Sequence, residues 1–240
     1  MEIEETINKW FEETNCLMQN RINNANSIDG LCECVLQGSK NYCNAILLLL
    51  DKGHEMPAKA LLRVLYELFA KVAWCLRVPD DVTDDENILV KEKIRRWEKH
   101  TLLNNIKILE KFERAGHNKN IGRLMSTLKS EDLYLKANIK CMPDLFEITK
   151  QLPEPFTKKA YPFLYLQFNN SVHLDTTSLV KSFSQKSNKT AQDTLAELYE
   201  YCTNHAFYIN SIIRLQYDDN TVQITKEYKE IVNTINQKNL

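Results

Sequence analysis

With 240 residues, 43% apolar and 26% charged, the chain is long enough to bury a sizeable core and too apolar for wholesale disorder. A net charge of −1 excludes a protein that holds polyanions by bulk charge alone. Five glycines and six prolines are too few for the turns that an all-β sandwich needs about every 8–12 residues.

Taken in chain order, the pattern is helical almost throughout. Ile3, Ile7, Trp10, Phe11, Thr14, Leu17 and Met18 recur at i, i+3, i+4 and i+7, which predicts a first helix broken at Asp29-Gly30. A second helix is predicted over 31–50, with Leu31, Val35, Tyr42, Ile46 and Leu49 inward and a glycine stop at Gly53. Pro57 suits the first turn of a third helix over 55–78. A fourth, over 85–115, carries Ile88, Ile94, Trp97, Leu102, Ile106 and Leu109. A fifth is expected over 118–138, followed by less regular chain to 158. The strongest late helix spans 191–217, and a weak amphipathic tail follows at 225–237.

With no repeat or linker in view, these elements predict an all-α, single-domain bundle over 1–240 with roughly seven to nine helices. The helices at 31–50, 60–78 and 191–217 are the most apolar and should form its core.

The acidic, amphipathic start MEIEETINKWFEE has no basic segment followed by an apolar run, so no secretion signal is expected. The most apolar stretch, 45–50, is far too short for a bilayer, and 60–78 carries Arg63, Glu67, Lys71 and Arg77. No membrane association is expected. Seven cysteines without paired spacing fit a reducing cytoplasm, and Cys32 and Cys34 read as core packing rather than as part of a zinc site. P-loop, dinucleotide, zincin, di-iron and nucleophile-elbow motifs are all missing, so no cofactor or metal is expected.

What remains is a set of polar residues on helices. Arg63 and Glu67 stand at i, i+4 in ALLRVLYELFAKVAWCL, among apolar neighbours. One reading is an ion pair that locks helix register. The other is a polar cleft in which Arg63 meets an anion and Glu67 orients a neighbour. His173, in YPFLYLQFNNSVHLDTTSL, titrates near neutrality and suits general acid–base work, or alternatively a structural cap. Ten Lys and Arg against four Glu over 91–123 form a basic stretch suited to phosphates, or simply a solvated helix face.

L-x-R-x-L-Y-E-L followed about a hundred residues later by a Tyr, Ser and His segment resembles a family of bacterial helical proteins with an R-x-x-x-E helix and a later S-x-x-H segment. The matching positions are Arg63, Tyr66, Glu67, Tyr165, Ser171 and His173, with a single residue between the last two here. The architecture is also similar, more distantly, to HEPN domains, helical bundles of toxin and phage-defence ribonucleases with an R-x(4–6)-H motif. That resemblance implies metal-free RNA cleavage, with arginine on the scissile phosphate and histidine assisting the 2′-hydroxyl.

On that reading Arg63, Glu67 and His173 are the catalytic candidates, Arg95 and His100 the alternative pair, and Tyr66, Tyr165 and Asn169 the substrate-binding candidates. RNA would be met by the stretch 91–123. The competing expectation is a non-catalytic module that binds a partner protein or forms a homodimer.

Overall fold

The computed structural model of the chain describes residues 2–21, 27–77, 86–115, 120–131, 139–152, 188–217 and 222–237. Among them are eight helices and no strand: α1 (Glu2–Arg21), α2 (Ser27–Asp51), α3 (Glu55–Leu76), α4 (Glu86–Arg114), α5 (Asn120–Lys129), α6 (Leu145–Lys150), α7 (Asn188–Leu215) and α8 (Val222–Gln237). The all-α class read from the sequence is therefore the class observed. Backbone proximity groups the chain into two compact units, Met1–Leu76 with Leu145–Leu240, and Arg77–Asp144.

In the first unit α7 is the central element, packed against α1, α2, α3 and α8, while α2 and α3 form the most extensive helix pair. Leu62, Leu65, Tyr66, Phe69 and Ala73 give α3 its buried stripe, and from Val72 to Leu76 every side chain is enclosed. A helix apolar on all sides has to sit inside a bundle, as this one does at its C-terminal end. α6 packs on α3, and Trp74 Nε1 donates to Gln151 Oε1 at 3.1 Å just beyond it.

α2 corrects the sequence reading twice. Asp29 and Gly30 do not end a helix; they lie in the first turn of α2. An acid there is favoured by the helix dipole, and the Tyr217 hydroxyl also donates to Asp29 at 2.8 Å. The buried stripe is Cys32, Val35, Leu36, Ser39, Cys43, Ile46, Leu47 and Leu50, whereas Leu31, Tyr42 and Leu49 sit at its margins. Hydrophobicity alone selected the large residues. The buried face also carries small residues, Cys32, Ser39 and Cys43, and Cys202 Sγ of α7 approaches the Cys43 carbonyl to 3.9 Å. Cys32 is buried as expected, but Cys34 is exposed.

The stop at Gly53 is formed as the sequence predicts. Gly53 has φ 73°, its N–H bonds the Leu50 carbonyl at 2.9 Å, and the His54 N–H reaches back to Leu49 at 2.7 Å. These are the paired bonds of a left-handed helix cap. A Cβ at Gly53 would meet no atom within 4 Å, so only backbone strain opposes a side chain there. Gly53→Ala should cost about 1–2 kcal/mol in denaturant unfolding, and an unchanged midpoint would contradict the assigned cap.

The second unit is a hairpin in which α5 folds back on α4 around Leu102, Ile106 and Met125, with Leu109 and Leu128 at the edge of that cluster. Ile88, read as inward, is 64% exposed, and Val90 is buried in its place. At about 100° per residue Ile88 stands roughly 120° away from Ile94, off the stripe. The fifth helix is shorter than expected. It ends at Lys129, where Ser130 N–H bonds Ser126 at 3.1 Å and Glu131 N–H closes onto Leu128 at 3.3 Å.

The tail read as weak is α8, a full helix whose Ile224, Ile231 and Ile235 are buried. Among the described residues, no helix is long and apolar enough to cross a membrane.

Candidate functional site

α3 presents Arg63, Tyr66 and Glu67 in three different settings. Arg63 is half-buried, with its Nε withdrawn from solvent. Glu67 does not form the predicted ion pair with Arg63; its carboxylate accepts from Lys71 Nζ at 2.6 Å. Glu placed four residues before Lys is the better-oriented i, i+4 pair on a helix, so the acid turns toward the C-terminal turn. Tyr66 is wholly enclosed, its ring standing edge-on to His205 at 5.8 Å and 86°. His173, Tyr165, Asn169 and Ser171 lie outside the described residues.

The alternative pair sits on α4, where Arg95 is exposed and His100 half-buried. Five helical steps turn the two Cβ vectors about 140° apart. Next to them Arg96 fixes the irregular chain that follows α5. Its Nε and Nη2 donate to the Cys141 carbonyl at 3.4 and 3.3 Å, and its own carbonyl accepts the Met142 N–H at 3.1 Å. Lys93 donates to the Arg77 carbonyl at 2.6 Å, and Lys99 is buried. The basic stretch is thus partly structural. Lys91, Arg95, Lys107, Lys111, Arg114 and Arg123 are its exposed cations among the described residues.

The same hairpin exposes apolar side chains: Ile108 is 50% exposed, Phe112 49% and Leu124 50%. Helix phase puts them together. Lys129 and Glu110, bridged at 3.1 Å, mark one edge of the α4–α5 seam. Ile108 and Phe112 lie on the flank of α4 opposite Glu110, and Leu124 on the flank of α5 opposite Lys129. All three therefore lie on the side of the hairpin away from that pair, with Ile108 turned about 130° around α4 from its buried stripe.

His205, in the first unit, was not singled out from the sequence. Its Nδ1 carries the proton, donating to the Tyr201 carbonyl at 2.6 Å, and burial drives the imidazole pKa down to about 4. The ring is neutral at physiological pH and packed against Tyr66 and Phe69. The sequence clue was a histidine one turn after Tyr201 within an apolar, aromatic helix.

Glu227 of α8 was missed as well. Lys9 Nζ at 2.7 Å, Trp10 Nε1 at 2.8 Å and Gln223 Nε2 at 2.6 Å all donate to its carboxylate. Burial pushes its pKa up, but these donors outweigh that and hold it below the usual carboxylate value. Among the described residues no cluster of His, Cys, Asp and Glu is arranged to hold a metal ion.

Fold and surface together define a helical-bundle protein with a basic, apolar-edged hairpin. The chain belongs to DUF5677, a family of unknown function, whose sequence model matches residues 34–191. It matches no curated protein. No solved structure matches it either.

Proposed function

We propose that the chain is a non-catalytic helical module that docks an acidic, amphipathic segment of a partner protein on the α4–α5 hairpin. One observation carries this reading: Ile108, Phe112 and Leu124, each about half exposed, lie on one side of a hairpin whose exposed cations include Lys107, Lys111, Arg114 and Arg123. Exposed apolar side chains on a hairpin that also carries exposed cations suit a helix that buries its own apolar stripe and carries carboxylates beside it. Lys129 engages Glu110, and the exposed Glu113 has its carboxylate beside Gly122 of α5.

The core setting of Tyr66 and the Glu67–Lys71 pair favour architecture over turnover on α3. The test is recovery of the tagged full chain from cells that encode it, beside an Ile108→Glu/Leu124→Glu variant. A protein bound in fixed ratio should fall at least about tenfold in the variant, which corresponds to about 1.4 kcal/mol lost over the two anchors together. Circular dichroism should show unchanged helix content. Equal recovery by both chains would contradict the reading. So would cleavage of total RNA by the native chain that His173→Ala abolishes.

A further inference from the structure

α8 lies in a groove formed by α1 and α7, and its contacts there are specific. Lys9 Nζ and Trp10 Nε1, on consecutive residues of α1, grip one Glu227 oxygen each, at 2.7 and 2.8 Å. The next residue, Tyr228, stacks on Phe207 with ring centroids 4.2 Å apart and an interplanar angle of 15°, and its hydroxyl donates to Asn204 Oδ1 at 2.8 Å. Ile224, Tyr228, Ile231 and Ile235 follow at i, i+4, i+7 and i+11, a single helical face. The groove thus reads a carboxylate, then an aromatic ring, then two apolar turns.

Trp10 and Phe207 form its floor, packed edge to face at 6.2 Å. α8 spans 16 residues and docks on this groove through side chains of Glu227 and Tyr228, and residues 216–221 separate it in sequence from α7. A helix of that length is marginal by itself in water, so its order depends on being docked. α8 and the Lys9–Trp10 pair both fall outside residues 34–191, the part matched by the family.

We propose that the α1–α7 groove is a helix-docking site that accepts α8 of a second copy of the chain as well as its own. A second copy presents the same Glu227-Tyr228 pair and the same isoleucine register, so every contact in the groove is reproduced when α8 is exchanged. Exchange of one identical element is a low-cost route to a dimer. The tethered α8 competes at an effective concentration on the order of millimolar, so the closed monomer dominates in dilute solution and exchange rises as the latch weakens. This site is separate from the hairpin surface and does not rest on it.

The test uses the full chain and a fluorescein-labelled synthetic peptide of residues 222–237. A Glu227→Ala/Tyr228→Ala chain has its own α8 weakened while its groove is intact. It should bind the native peptide saturably by fluorescence anisotropy, at least about tenfold more tightly than the native chain does. Unlabelled native peptide should compete; a peptide carrying Glu227→Ala should not. Binding to neither chain, or equal binding to both, overturns the proposal.

Should the double variant not fold, Glu227→Gln in the full chain decides by hydrogen exchange. Residues 222–237 must exchange at least about tenfold faster than native while α2 and α3 stay protected. Unchanged protection overturns the proposal.

Discussion

Trp10→Ala is expected to lower the unfolding free energy by about 3–5 kcal/mol, a loss typical of deleting a large core aromatic. Trp10 is fully enclosed, packs edge-on against Phe207, and donates its indole N–H to Glu227. Truncation removes buried apolar surface, leaves a void between α1 and α7, and strips one donor from a carboxylate that is itself mostly enclosed. Trp10→Phe separates these contributions. It keeps most of the packing and loses the hydrogen bond, so it should cost about 1–3 kcal/mol. Urea titrations at neutral pH followed by circular dichroism measure both. A Trp10→Ala loss under about 1 kcal/mol would mean that α1 is not part of the core.

The second large effect is one of pH and belongs to His205. Burial lowers its pKa from 6.5 to about 4, so in this range the folded chain binds fewer protons than the unfolded one. Stability from this residue is therefore fully present above pH 6.5 and is lost as pH falls from there toward 4. The shift corresponds to a loss on the order of 3 kcal/mol across that window. His205→Phe, which keeps a ring between Tyr66 and Phe69, should flatten this part of the pH–stability profile. Its cost at neutral pH is limited to the Nδ1 bond to Tyr201 and any misfit of the larger ring. A native profile level from pH 7 to 4.5, or a variant profile as steep as the native one, would contradict a neutral, buried imidazole.

Much of the fold was legible because helix periodicity is a local property. Of the face that the periodicity of α1 predicts, Ile7, Trp10, Phe11, Thr14 and Met18 are buried, and Ile3 and Leu17 are half-buried at its margins. Gly53 was read as a stop and caps α2. Legibility failed where a neighbouring element decides. The stripe of α2 runs through Cys32, Ser39 and Cys43, small residues that a ranking by hydrophobic bulk passes over, and Cys202 of α7 reaches the Cys43 carbonyl. α8 looked weak alone because its anchor, Glu227, is satisfied by donors on α1, more than two hundred residues earlier in the chain.

The candidate sites divide in the same way. The i, i+4 spacing put Arg63 and Glu67 on one face correctly, but spacing alone could not choose between Arg63 and Lys71 as the partner of Glu67. The basic character of 91–123 was plain from composition. Which of its cations are exposed was not, since Arg96, Lys93 and Lys99 are drawn into structure by carbonyls and burial that no local pattern encodes. Nor could sequence show that Ile108 and Leu124 lie on the same side of the hairpin, because that depends on which side of the seam the Lys129–Glu110 pair closes.

Docking on the α4–α5 hairpin is tested most directly by hydrogen exchange of the full chain, alone and with the protein recovered on it. Residues 104–128 should slow markedly on binding, while the core of α2 and α3 stays as it was. If those hairpin amides exchange at the same rate with the partner bound, and protection arises along α3 around Arg63 and Glu67 instead, the hairpin is not the docking surface.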